Sequence, residues 1–162
     1  MPADISKRCN TVEECYEFML AYAAQGFRNE EGSKSGGQIR EYLDRAVKAI
    51  AGLAESCARA AKQEHWEPAE RYQAFFQVLA RDAHDSLAAI ELVLAQPAIS
   101  SQLIDNLNAS IHLRALLTDL FLVSEIVGTQ RESETLQDGT LRSDDHASEA
   151  RESPSRSRRV PD

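Results

Sequence analysis

Apolar residues recur at helical spacing through most of this chain. The first run is Val12, Cys15, Tyr16, Met19 and Ala23, at intervals of three and four along one face of an amphipathic helix. Thr11-Val12-Glu13-Glu14 at its head is a capping-box pattern, and Gly26 is a stop signal. The second run has the cleanest period: Ile39, Leu43, Ala46, Ile50, Leu53 and Cys57 alternate four and three, the seam of a left-handed helix packing. Ser35-Gly36-Gly37-Gln38 reads as its start. In the third run Tyr72, Phe76, Leu79, Ala83, Ser86, Ile90 and Leu94 repeat in the same way between Glu67-Pro68 and Pro97. Proline at a first helical position loses no required hydrogen bond, so Pro68 marks a start. Ser100 or Ser101 then caps a fourth helix, which the pattern carries to about Val127 ahead of Gly128.

No alternating run competes as a strand, so the pattern predicts an all-α fold. Helices two to four would each span about 27–29 residues, roughly 40 Å at 1.5 Å per residue, with a shorter first helix. Short connections make neighbouring helices antiparallel, which predicts an up-down-up-down four-helix bundle over residues 10–127. An extended hairpin completed by a second chain is the alternative.

The fourth helix carries more apolar surface than one bundle face requires. At about 100° per residue, Leu103, Leu107 and Ile111 share one face, which Leu117 and Phe121 continue. Leu113, Leu116, Leu120, Val123 and Val127 form a second seam on the opposite side, while Arg114, Thr118 and Glu125 intrude on the first. A helix apolar on both sides must be covered on both sides. The sequence therefore predicts that the second seam meets a partner, most simply another copy of the chain in a two-fold homodimer. A central position for this helix within the monomer is the other solution.

Composition narrows the functional classes. The chain has 162 residues, 43% of them apolar, and a formal net charge of -8, which argues against a nucleic-acid partner held by counterion release. Beyond residue 127 the apolar residues are only Leu136, Leu141, Ala147, Ala150 and Val160. So few cannot offset the entropy of ordering, which predicts a disordered acidic and Ser/Arg-rich tail over residues 128–162. Residues 1–9 are expected to be a flexible N-terminus. No apolar window approaches the roughly 20 residues of a membrane span, so no membrane partner is expected. Residues 1–8 lack a secretory apolar stretch, and Cys9, Cys15 and Cys57 are an odd count without metal-type spacing. Both features predict a reducing, cytoplasmic setting.

Candidate chemistry is sparse. The Glu-x-x-His motif of di-metal bundles does not occur. Counting out from Pro97-Ala98, an antiparallel hairpin sets His84 and His112 at one level, with Glu91 and Asp119 each seven residues further on. These four are the candidate metal ligands, although their helical angles point the histidines outward and sideways, as for two solvated side chains. Cys15 and Cys57 fall on core stripes without a basic partner, and Asp82 and Asp85 would need a pocket to shift their pKa values. The Gly32 to Gly37 spacing resembles that of a phosphate-binding loop, but Gln38 stands where the lysine belongs and no strand precedes it. Trp66, Tyr72, Phe75 and Phe76 are core residues first and a ligand pocket second. The sequence thus predicts a non-catalytic helical protein with no cofactor, acting by association as a homodimer or as an accessory subunit. A metal- or cofactor-binding bundle is the second reading, and a small-ligand sensor the third.

Overall fold

The computed structural model describes residues 2–31 and 33–127. Residues up to Ser124 form one compact unit. Among the described residues every regular element is helical: α1 (Ala3–Ala24), α2 (Lys34–Ile50), α3 (Leu53–Gln63), α4 (Ala69–Leu94) and α5 (Ser101–Ala109). Residues 111–127 are helical again. None of these helices is long and apolar enough to cross a membrane. The all-helical expectation holds, but the expected four long helices do not, because the second and the fourth are broken. The tail expected over 128–162 lies outside the described residues.

Helix α1 starts well ahead of Thr11. Pro2 stands at its N-cap, Asp4 lies in its first turn beside Arg8 at 3.0 Å, and Ile5 and Cys9 are buried. Residues 3–9 are therefore helix, not a flexible arm. Ile5 and Cys9 extend the Val12, Cys15, Met19 stripe backwards at the same spacing, and burying them stabilises the added turns. Thr11 does not cap; its hydroxyl donates to the Lys7 carbonyl at 2.9 Å, one turn back. Gly26 does end the helix, with φ +70° in the left-handed region that glycine adopts without strain.

Helices α2 and α3 share the predicted seam although the chain breaks between them. Ile39, Leu43, Ala46, Ile50, Leu53 and Cys57 are all buried. The break falls at Gly52, whose φ of +71° is left-handed. It leaves carbonyls at the end of α2 without helical partners, and Arg8 of α1 supplies one guanidinium nitrogen to them, 2.8 Å from Ala51 O and 3.2 Å from Ala49 O. A cation at a helix C-terminus also meets the negative end of the dipole. Along α1 the contacts run from Arg8 at residues 49–51, through Glu14 with Arg45 at 2.9 Å, to Phe18 stacked on Tyr42 at 4.0 Å. Their partner numbers fall as α1 rises, so these two helices run in opposite directions.

Ser33, not Ser35, caps α2, accepting from the Gly36 amide at 2.8 Å. Gly36 lies directly against the Glu30 backbone, where a Cβ would collide with the carbonyl, whereas Gly37 has open space beside it. This approach holds the loop so that Glu30 meets Arg40 of α2 at 2.6 Å. Arg40 also donates to the carbonyls of Leu94 and Gln96, each at 2.8 Å, and so caps the end of α4. The other Glu30 oxygen accepts from the Ile99 amide, while Tyr22 donates its hydroxyl to the Ile99 carbonyl at 2.7 Å. Ser101 donates its hydroxyl to Tyr22 O at 2.6 Å and accepts from the Phe27 amide at 2.8 Å. Together these bonds fasten the turn between α4 and α5 to α1 and α2.

The fourth predicted helix is interrupted at Ser110, which takes an extended conformation with φ -58° and ψ 127°. Its carbonyl then accepts from the Arg114 amide at 3.2 Å, so Ser110 stands at the entry to the next helix. Helix α1 packs against α2 and α5, α3 against α4, and α2 against α4.

Two substitutions at adjacent glycines separate packing from propensity. Gly36→Ala should lower stability by about 1–3 kcal/mol, the usual cost of forcing an extra methyl into a filled site. Gly37→Ala should be neutral or raise it by up to about 1 kcal/mol through helix propensity; urea denaturation of both variants checks this. Burial raises the Glu30 carboxyl, but the Ile99 amide, its own backbone amide and Arg40 outweigh that and hold it below the ordinary value. A lowered carboxyl contributes stability that is present above its unfolded value and lost as pH falls through the folded one. Glu30→Gln should therefore remove part of the acid-side loss of stability, measured as melting temperature against pH.

Candidate functional site

The structure does not assemble the predicted metal set. His84 and Glu91 are exposed on α4, while the exposed His112 has its Nδ1 3.7 Å from an Asp85 oxygen. The level chosen by counting out from Pro97 was close, since residue 112 faces residue 85, but the neighbour is a carboxylate and not His84. Asp119 is buried elsewhere, against Asp82. Among the described residues no group of three or more His, Cys, Asp or Glu side chains is placed to hold a metal ion.

Asp82 and Asp119 form a pair that spacing did not single out. Asp119 is buried, and apart from the neighbouring Asp82 carboxyl its Oδ2 has no hydrogen-bond partner among the described residues. Burial first, then the hydrogen bond and the charge of Asp82, push its pKa up from 3.8 to about 6. Two carboxyl groups this close share a proton more readily than they hold two charges. One turn along α4 the Ser86 hydroxyl is also buried, with no hydrogen-bond partner among the described residues.

The cysteines are poor nucleophiles. All three are free and buried. Burial pushes the Cys9 thiol up to about 11 and those of Cys15 and Cys57 up to about 12, so almost no thiolate forms near neutrality. Their role is in packing, as the core stripes predicted for Cys15 and Cys57, whereas Cys9 lies in the segment expected to be flexible and is buried by the added turns of α1.

A cavity of about 160 Å³ opens where α3 turns into α4. Its aromatic wall comes from Trp66 in the turn and from Tyr72 and Phe76 one turn apart on α4. Trp66 is tilted against Tyr72 at 5.4 Å and against Phe76 at 6.4 Å between ring centroids, within the range at which aromatic pairs attract. Its indole N–H donates to Glu64 at 3.0 Å, which fixes the ring. Phe75, named with these three in the sequence, is half-buried and does not line the cavity. Lys62, His65 and Gln73, which do line it, carried no periodic signal because they lie on polar faces or in a turn.

The predicted interface seam is placed differently from its expectation. Leu113, Leu116, Leu120, Val123 and Val127 are each no more than 4% exposed within the single chain. They are an inner face, and the correction has a simple geometric cause. Angles counted through Ser110 treat two helices as one; on either side of the break each helix has one ordinary apolar stripe. Ile104 and Leu107 are buried from α5, whereas Ile111, expected on that same face, is 75% exposed. Phe121 and Leu122 join it outside at 55% and 47%, with Arg114 and Thr118 also exposed.

The carboxyl pair sets a pH dependence opposite in sign to that of Glu30. A raised acid contributes stability present below its unfolded value and lost as pH rises through the folded one, here between 3.8 and about 6. Asp119→Asn should flatten that interval and raise stability at neutral pH by about 1–2 kcal/mol, read from thermal melts at several pH values. Compared with models of protein families, with curated proteins and with solved structures, the chain has no significant match.

Proposed function

We propose that this protein acts by association, without catalysis, through the outer face of the helix that begins after Ser110. One observation carries the reading: Ile111, Phe121 and Leu122 leave large apolar side chains in water at 75%, 55% and 47% exposure on a helix whose opposite face is already buried. Single exposed apolar residues need no explanation, but several on one short helix are a contact surface in waiting. Arg114 and Thr118 on the same face supply a polar rim of the kind that surrounds such contacts. The simplest partner is a second copy of the chain, since a two-fold axis lets one patch cover itself. A reducing, cytoplasmic setting suits three free thiols that all serve the core.

The contact thus moves from the seam expected in the sequence to the opposite side of the same segment, and mass measurement separates the two. Light scattering on the full chain at tens of micromolar is expected to give a dimer. Phe121→Glu should shift it to monomer with little change in melting temperature. Leu116→Ala, on the inner face, should instead cost about 2–5 kcal/mol of stability without changing the mass of the folded protein. A strict monomer across that concentration range would remove self-association.

A further inference from the structure

The cavity between α3 and α4 has a wall chemistry that selects one kind of guest. At about 160 Å³ it is the size of a cavity that accepts one aromatic ring and is too small for a dinucleotide or a drug-sized molecule. Trp66, Tyr72 and Phe76 offer ring faces and edges on one side, and all three are buried, so they are held in place before any guest arrives.

The polar side chains around it divide by charge. Glu67 is the one acid that lines it, with an oxygen accepting from the Ala69 amide at 3.0 Å, and Glu64, outside the lining, accepts from the Trp66 indole. Lys62, His65 and Gln73 line the cavity and make no side-chain hydrogen bond or ion pair among the described residues. Lys62 is a cation that only donates, and the other two can donate. His65 is also the one non-glycine described residue with positive φ, at 53°, in the turn that brings Trp66 to the wall. A left-handed turn more often takes glycine or asparagine, and here it places an imidazole at the cavity.

We propose that this cavity binds a single-ring aromatic carboxylate, its ring against Trp66, Tyr72 and Phe76 and its carboxylate toward Lys62, with His65 and Gln73 as further donors. The site stands apart from the outer face of residues 111–122, so either can fail without the other.

Trp66 is the single tryptophan, so its indole N–H gives one unambiguous NMR resonance. The full chain is titrated with benzoate, benzyl alcohol and cyclohexanecarboxylate while that resonance is followed. Benzoate is expected to shift it saturably. Benzyl alcohol, which keeps the ring and loses the charge, and cyclohexanecarboxylate, which keeps the charge and loses the π-face, should each bind about tenfold more weakly. Lys62→Ala, at an exposed position, should weaken benzoate about tenfold and leave benzyl alcohol unchanged. Ala58→Phe, which reaches the cavity from an exposed helix position, should abolish all three. No saturable shift with benzoate, equal binding of benzoate and benzyl alcohol, or benzoate binding that survives a folded Ala58→Phe would each overturn the proposal. If Ala58→Phe does not fold, Lys62→Ala decides alone: unchanged benzoate affinity overturns the proposal and a selective loss supports it.

Discussion

The ion pair between Arg40 and Glu30 ties the end of α4 and the turn that follows it to α2, adding polar bonds to helix contacts already made by packing. Arg40 sits in α2, Glu30 in the loop before it, and between them they bind the last carbonyls of α4 and the amide of Ile99. Helix termini carry carbonyls and amides that no helical bond satisfies, and leaving them buried without partners costs about 1–3 kcal/mol each. Here a charged pair supplies both kinds of partner at once. Tyr22 and Ser101 add bonds from α1 and α5 to the same turn, so four helices converge on it. Arg8 repeats the device at the end of α2. Neither arginine belongs to an apolar stripe, yet each satisfies the carbonyls at which a helix stops and ties that end to another part of the chain.

Breaks of this kind redistribute apolar surface. A continuous helix from Ser101 to Val127 would be apolar on two sides, and the second side would demand a cover from outside the chain. With Ser110 extended, the two segments turn independently, and every leucine and valine of the supposed second seam finds a place inside. The same turn sends Ile111 and Phe121 outward, although a continuous count puts them on the inner face. Apolar content alone is unchanged by the break; the difference lies in which of these residues water touches.

The buried polar groups show how unevenly burial acts on chemistry. For the three thiols it favours the neutral form and makes them inert. For Glu30 it is overcome by donors that favour the charged form, and for Asp119 it is reinforced by a second acid. The two carboxyl groups therefore bear on stability with opposite sign within the acidic range. The aromatic cavity belongs to a different class, since its walls are apolar and its open donors sit beside them.

Periodicity by itself determined the helical class and most of the inner residues. Spacings of three and four between apolar side chains specify a buried stripe wherever the stripe is later placed, and the residues from Ile39 to Cys57 and from Tyr72 to Ile90 are buried as that spacing requires. The glycine stop at Gly26 and the cap at Ser100 were legible for the same local reason. The break at Gly52 and the cluster Asn106, Asn108 and Ser110 left signals too, because glycine and short polar side chains compete with helix continuation, but an unbroken apolar period outweighed them. The aromatic members of the cavity were recognisable by type, whereas Lys62, His65 and Gln73 were not, since their meeting depends on how α3 turns into α4. Only the tertiary structure decided which carboxyl meets Asp119, which carbonyls the arginines cap and which side of the last helix faces water. Those are relations between distant segments, and a local period carries no information about the partner on the other side of a contact.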